Sequence, residues 1–313
     1  MQFFTQLLTD PLGFYRAHQL LLAQVGINAL LTLSMYITLR AGMLTLANVG
    51  FMAVGAYTSV LLHLHGHLPL PLTVLVGALA AGLLALPIGI PTLRLSGIFL
   101  AIATIGFGQV VVAAILNVPI TGEGRGLTIP DASSSLLPAY LSLVVVVYVL
   151  WRLRRTRLGM AWDAIREDAP AAEAQGIDVA RYRLLAFVLG AVLAGYAGAL
   201  EARINFFIDT SLYSFQRVVG VLVFAVFGGI GRVAGPLVGS ATLTALPEAI
   251  RFARQYRDAL YGVILIALVI FRPRGLTGGR SGRARPLLRL LRRGRRAGGV
   301  APPREPAGER APS

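Results

Sequence analysis

Leu70-Pro-Leu-Thr-Val-Leu-Val-Gly-Ala-Leu-Ala-Ala-Gly-Leu-Leu-Ala-Leu-Pro-Ile-Gly-Ile90 contains no charged side chain. A bilayer core takes about 20 apolar residues of helix, whereas a helix on the surface of a soluble domain is apolar along one stripe only. Runs of this kind recur, and we read spans at 20–39, 42–62, 70–90, 97–117, 136–151, 184–204, 215–231, 233–250 and 258–271. The 313 residues are 56% hydrophobic and 14% charged, against roughly 25% charged in a soluble domain. The expected fold class is all-α and integral to the membrane, a polytopic bundle of about eight to ten transmembrane helices.

All 29 basic residues are Arg, and the chain has neither Lys nor Cys. Without Lys there is no Walker A phosphate grip and no Schiff base; without Cys there is no disulfide, thiolate metal site or cysteine nucleophile. We expect no catalytic residue and no cofactor. Residues 272–313 hold 12 Arg against Glu305 and Glu309. Beside transmembrane helices such clusters fix orientation and meet anionic lipid headgroups, so the net charge of +15 points to membrane lipid and not to nucleic acid.

Charge and hydropathy divide the chain into an interfacial segment over 1–19, a transmembrane domain over 20–276, and an Arg/Gly/Pro-rich disordered tail over 277–313. The longest polar stretch between spans, 152–183, carries seven Arg, which places it with the tail on the cytoplasmic side. Segments 63–69 and 118–135 then lie outside. Arg251, Arg254 and Arg257 resist this topology, since parity puts them on the outer face.

Three segments carry more information. Within 152–183, Asp168 and Pro170 read as a helix start and Gly176 as a helix stop, so we expect a short helix near 169–175. It is either a docking element for a soluble partner or a solvated connector. In the span opening at Gly42, the residues Thr45, Asn48, Gly50 and Gly55 interrupt an apolar run. They suggest a broken helix lining a pathway, or close packing through small residues. The third, Val226 to Gly239, holds Gly228, Gly229, Gly231, Gly235 and Pro236; it lacks the spacing and the acidic residue of a dinucleotide fingerprint and reads as a tight turn.

His63, His65 and His67 would put three imidazoles on one face of an extended segment, but with no carboxylate nearby we assign no metal site. Gln109, Glu201 and Asn205 are polar positions in or near spans, suited either to helix pairing or to a solute path.

Five segments in order resemble the permease subunits of ABC importers for branched-chain amino acids. They are Leu44-Thr-Leu-Ala-Asn-Val-Gly-Phe51 to Tyr57; Leu93-Arg-Leu-Ser-Gly-Ile-Phe-Leu-Ala-Ile-Ala-Thr104; Thr121-Gly-Glu-Gly-Arg-Gly-Leu-Thr-Ile-Pro130; Arg157 to Tyr182; and Val226 to Gly239 with the closing Arg272-Pro-Arg-Gly-Leu276. The resemblance implies that Arg166, Glu167, Asp168, Ala172, Glu173, Ala174 and Gly176 form the segment inserted into the ATPase. From their own character, Gly42, Thr45, Asn48, Gly50, Gly55, Thr104 and Gln109 are our candidates for a translocation path or broken helix. The resemblance also implies separate ATPase subunits, a second homologous permease, an extracytoplasmic solute-binding protein and a bacterial inner membrane. Two departures stand out: the amino-terminal hydrophobic segment is short for the family, and Asn48 stands where many members carry a Gly- or His-containing polar turn. Importers of urea or short-chain amides share much of the pattern. A stand-alone secondary transporter is the rival class; it needs mid-membrane ionisable groups, and the spans offer little beyond Glu201 and Glu248.

Overall fold

The computed structural model describes residues 19–66, 68–122, 125–129, 136–249 and Gly262. In chain order the helices are α1 (Gln19–Arg40), α2 (Asn48–Gly66), α3 (Leu70–Thr92), α4 (Ile98–Asn117), α5 (Leu137–Leu153), α6 (Arg157–Glu167), α7 (Ala169–Ala174), α8 (Val179–Asn205), α9 (Phe215–Gly228) and α10 (Ala234–Ala249). Five of them, α1 to α4 and α8, are long and apolar enough to cross a membrane. The pair α5 and α6, bent by 74° at a short break, supplies a sixth candidate, and α9 and α10 are shorter apolar helices. The chain is a polytopic helical membrane protein. The expected span 258–271, the Arg251 to Arg257 group, the segment 1–18 and the tail lie outside the described residues.

Helix α8 is the hub, packed along α1, α2 and α3. Its composition explains why. Ala186, Ala191, Ala194, Ala197, Ala199 and Ala202 are buried, and its glycines let neighbouring backbones close in. A Cβ at Gly195 would sit 3.2 Å from the Gly77 carbonyl oxygen and 3.3 Å from the Ala78 Cα; one at Gly198 would collide with the Met52 carbonyl. With no hydrophobic drive between helices in lipid, such close van der Waals contact is what holds them together. Gly55 completes the junction, lying against Gly195, while a Cβ at Gly77 would meet the Gly55 oxygen at 2.5 Å.

The ends of the bundle differ in charge. Gly89 lies against Leu184 and Phe187, which brings the end of α3 to the start of α8. Asn28 Nδ2 donates to Thr244 Oγ1 at 3.1 Å, which ties α10 to α1, and the Arg217–Glu201 pair sets the start of α9 beside the end of α8. Arg40, Arg94, Arg152, Arg154, Arg155, Arg157, Arg166, Arg181, Arg183 and Arg232 therefore gather at one end, and Arg125, Arg203 and Arg217 at the other. At this second end a two-residue antiparallel ladder, β1 (Leu127–Thr128) with β2 (Phe207–Ile208), ties the α4–α5 connection to the α8–α9 connection.

Candidate functional site

The break between α1 and α2 is built from Gly42. Its φ of +74° is a left-handed turn that a side chain would strain, and a Cβ there would stand 3.2 Å from the Arg166 Cα. Residues 43–47 then run without helical structure before α2 begins at Asn48, six residues later than the expected start of that span. Their polar groups find partners inside the bundle. Leu46 N–H donates to Thr104 Oγ1 at 3.0 Å, Asn48 Nδ2 donates to Ser34 Oγ at 2.8 Å, and Thr45 Oγ1 donates to Asn48 Oδ1 at 3.4 Å. Thr45, Asn48 and Thr104 are all buried. Gly50 faces α4, where a Cβ would come within 2.9 Å of the Gly108 Cα. Gln109 stands apart from this cluster: it is exposed on α4.

Beyond α5 the polar stretch turns back on the bundle as an elbow. Helix α6 buries Gly159, Ala161, Trp162 and Ile165. Trp162 Nε1–H donates to the Tyr182 carbonyl at 2.9 Å, and Asp163 takes a two-pronged bond from the Arg40 guanidinium, Nε to Oδ1 at 2.8 Å and Nη2 to Oδ2 at 2.6 Å. The Arg40 side chain is 5% exposed and that of Asp163 43%. Helix α6 is thus clamped to the end of α1 and to the Gly42 break beside it. The sequence reading missed both this helix and the Arg40–Asp163 pair. The signal for the helix was Leu158, Trp162 and Ile165 at helical spacing.

Asp168 ends α6 and caps α7, its Oδ1 accepting from Ala171 N–H at 3.0 Å. Ala172 turns inward, and the Ile177 N–H reaches its carbonyl at 3.1 Å. Gly176, at φ +82° with open space around it, reverses the chain into α8, which Asp178 caps through the Arg181 N–H. Arg166, Glu167, Asp168, Glu173, Ala174 and Gly176 are all exposed. The elbow therefore presents a mixed-charge surface outward and a dry face to α1.

The glycine-rich turn joins α9 to α10. Gly229 has φ +92°, and a Cβ on Gly228 would overlap the Gly235 carbonyl. Gly235 N–H donates to the Arg232 carbonyl at 3.0 Å, and Pro236 lies in the first turn of α10. Gly231 meets nothing within 4 Å. The two helices pack as a hairpin, with Val223, Phe224 and Leu243 as its private core.

At the opposite end, Arg217 of α9 grips Glu201 of α8, Nη2 to Oε1 at 2.6 Å and Nη1 to Oε2 at 3.0 Å, and Nη1 also donates to the Leu212 carbonyl at 3.2 Å. Tyr213 packs its ring on Tyr57, and its buried hydroxyl has no hydrogen-bond partner among the described residues. Burial, reinforced by the Glu201 charge, pushes that phenol well above its usual range, so it stays neutral. Of the histidines, His63 and His65 lie on the last turns of α2, where residues two apart diverge and do not share a face. His67 is outside the described residues.

A family model described as the branched-chain amino acid transport system permease component matches residues 19–269. The permease protein LivM of the high-affinity branched-chain amino acid transport system of Salmonella typhimurium is 34% identical over 291 residues, covering 80% of this chain and 66% of LivM. LivH, a permease protein of the same description in Escherichia coli, is 32% identical over 129 residues, covering 40% of this chain and 41% of LivH. The nucleoside ABC transporter permease protein NupC of Lactococcus lactis is 25% identical over 227 residues, covering 64% of this chain and 72% of NupC. The match to LivM thus spans just under two thirds of that relative's length. No solved structure matches.

Proposed function

Because the chain belongs to the family of branched-chain amino acid transport system permease components, we propose that it is the permease subunit of an ATP-driven importer of branched-chain amino acids. Residues 20–276 form half of the translocation pathway. ATP is hydrolysed on separate subunits, a second permease of the same family completes the pathway, and an extracytoplasmic binding protein delivers the solute. The membrane is the bacterial inner membrane, with the Arg-rich end of the bundle, the elbow and the carboxyl terminus inside.

One observation carries this reading. An exposed helix, α7, with Glu173 on it and Arg166, Glu167 and Asp168 just before it, stands on a second helix, α6, that is clamped to α1 through Arg40 and Asp163. A surface built to receive a force needs such a fixed footing, and a solvated connector does not. Arg166, Glu167, Asp168, Glu173, Ala174 and Gly176 form the surface that meets the ATPase, with Ala172 as its buried anchor. Gly42, Thr45, Asn48 and Thr104 form the broken-helix end of the pathway wall, Gly50 and Gly55 its close crossings, and Gln109 stands beside it on the exposed face of α4. Two relatives of the same description, LivM and LivH, support a pairing of homologous permeases.

The test is purification in mild detergent with this chain as bait, followed by identification of partners and an ATP hydrolysis assay. ATPase subunits co-purify, and replacing residues 166–176 with a Gly/Ser linker loses them while the chain remains folded. Transport by the chain with no ATPase present would establish a secondary transporter instead. The likeness to NupC favours one alternative cargo, nucleosides, and competition of labelled leucine uptake by unlabelled leucine, uridine or urea decides among them.

A further inference from the structure

Helix α4 is the least covered of the long helices: 28% of its apolar stretch is buried, against 67% for α1 and α8. Like the other open faces it exposes large apolar side chains, Ile98 and Val110 among them, but one stripe of it also carries small and polar residues. Helix α3 exposes Leu75, Leu79 and Leu83, and α5 exposes Leu141, Val144 and Val145, the large apolar side chains that lipid tails accept at no cost. Helix α4 exposes Phe99, Ile102, Gly106, Gln109, Ala113 and Leu116. Their spacing alternates three and four, which is the seam of a left-handed helix pair. Gly106 meets nothing within 4 Å, so a facing backbone can approach closely there, as small residues permit in membranes.

Gln109 is what excludes lipid from this seam. It lies about 16 Å along the helix from Ile98 and about 12 Å from Asn117, near the middle of the bilayer core. Its amide offers two donors and an acceptor and makes no hydrogen bond among the described residues, whereas hydrocarbon satisfies none of these groups. A facing transmembrane helix can satisfy them.

We propose that the α4 seam is the surface on which the second permease subunit seats, with Gln109 bonding across the subunit junction at mid-membrane. The assignment rests on the reading of the chain as one of two paired permeases, and it adds the helix and face that do the pairing.

The chain has no Cys, so single cysteines report cleanly. Gly106→Cys, Ala113→Cys, and the comparison variants Leu79→Cys and Val144→Cys are introduced into the full chain in native membranes and coupled to a maleimide benzophenone. Photolysis is expected to join positions 106 and 113, but not 79 or 144, to the second permease. Gln109→Leu lowers recovery of that subunit about threefold to tenfold, and Gly106→Leu lowers it further. Four results would overturn the assignment: cross-links from 106 and 113 only to lipid; cross-links only within the same chain; cross-links to the second permease from 79 or 144 instead; or labelling of 106 and 113 by a membrane-impermeant maleimide with no cross-link. Recovery of no second permease with the unmodified chain is a separate failure, that of the pairing itself.

Discussion

The Arg40–Asp163 pair is where the coupling reading is most exposed to test. Asp163→Asn removes the charge that answers Arg40 and keeps the side-chain shape. Arg40 is buried beside Tyr36, Ile37, Leu150, Leu153, Arg154 and Trp162, and its remaining side-chain hydrogen bond among the described residues is one of 3.4 Å to the Tyr36 hydroxyl. Stranding a fully buried charge costs about 3–5 kcal/mol, and an exposed pair contributes about 0–1 kcal/mol. Here the arginine is buried and the aspartate is 43% exposed, so solvent screens part of the effect and about 2 kcal/mol is expected. That is roughly a thirtyfold shift toward a detached α6. In the complex reconstituted in lipid, Asp163→Asn is expected to bind the ATPases and to lose most solute-stimulated ATP hydrolysis and uptake. Melting of the bundle stays near wild type, because the glycine contacts that join α2, α3 and α8 do not involve α6. Arg40→Asp combined with Asp163→Arg restores part of the stimulation. Wild-type stimulation and uptake in Asp163→Asn would refute the argument that force passes through this pair.

Gly228→Ala places a methyl into the Gly235 carbonyl and is expected to abolish recovery of folded protein in detergent, whereas Gly231→Ala, three residues on with open space, leaves recovery unchanged. Glu201→Leu strands the Arg217 charge and lowers the melting temperature measured by detergent size exclusion, and adding Arg217→Met regains most of the loss. Glu173→Ala with Gly176→Ala reduces ATPase stimulation without changing expression, since both positions are exposed and Gly176 alone bears the strain of a left-handed backbone. Cysteines at Ala174 and Arg232 react with an impermeant maleimide only after the cells are opened, and one at Arg125 reacts from outside; the opposite pattern would invert the orientation.

Helix positions were legible because a bilayer imposes one simple requirement: the expected 20–39, 70–90 and 97–117 fall within a few residues of α1, α3 and α4. The helix stop at Gly176 and the cap at Asp168 were legible for local reasons of the same kind. Helix α6 was not, since the surrounding arginines make 152–183 look uniformly polar and only Leu158, Trp162 and Ile165 mark its inner side with large apolar side chains. The Arg40–Asp163 pair joins residues 123 apart, and neither residue carries a local signature of the other. Nor does composition distinguish a glycine that kinks a helix from one that admits a neighbour. Gly42, with its positive φ, does the first and Gly55, against Gly195, does the second.

Helix α1 connects these parts. Asp163 holds it at one end, Asn48 holds it through Ser34 farther along, and Thr244 holds it through Asn28 toward the other end. Gly190 of α8 presses on the same stretch, where a Cβ would meet the Ser34 carbonyl at 3.1 Å, so α1 cannot slide independently of α8. The glycine contacts among α2, α3 and α8 make that group a close-packed unit of low compressibility. A displacement at the elbow therefore reaches α1 and carries α2, α3 and α8 with it as one body. Helix α4 is joined to this body by fewer contacts, chiefly Gly50 on Gly108 and Leu46 on Thr104. We expect a helix held in this way to yield before the block deforms, with the relative motion between α4 and the α2 break, beside the face that carries Gln109.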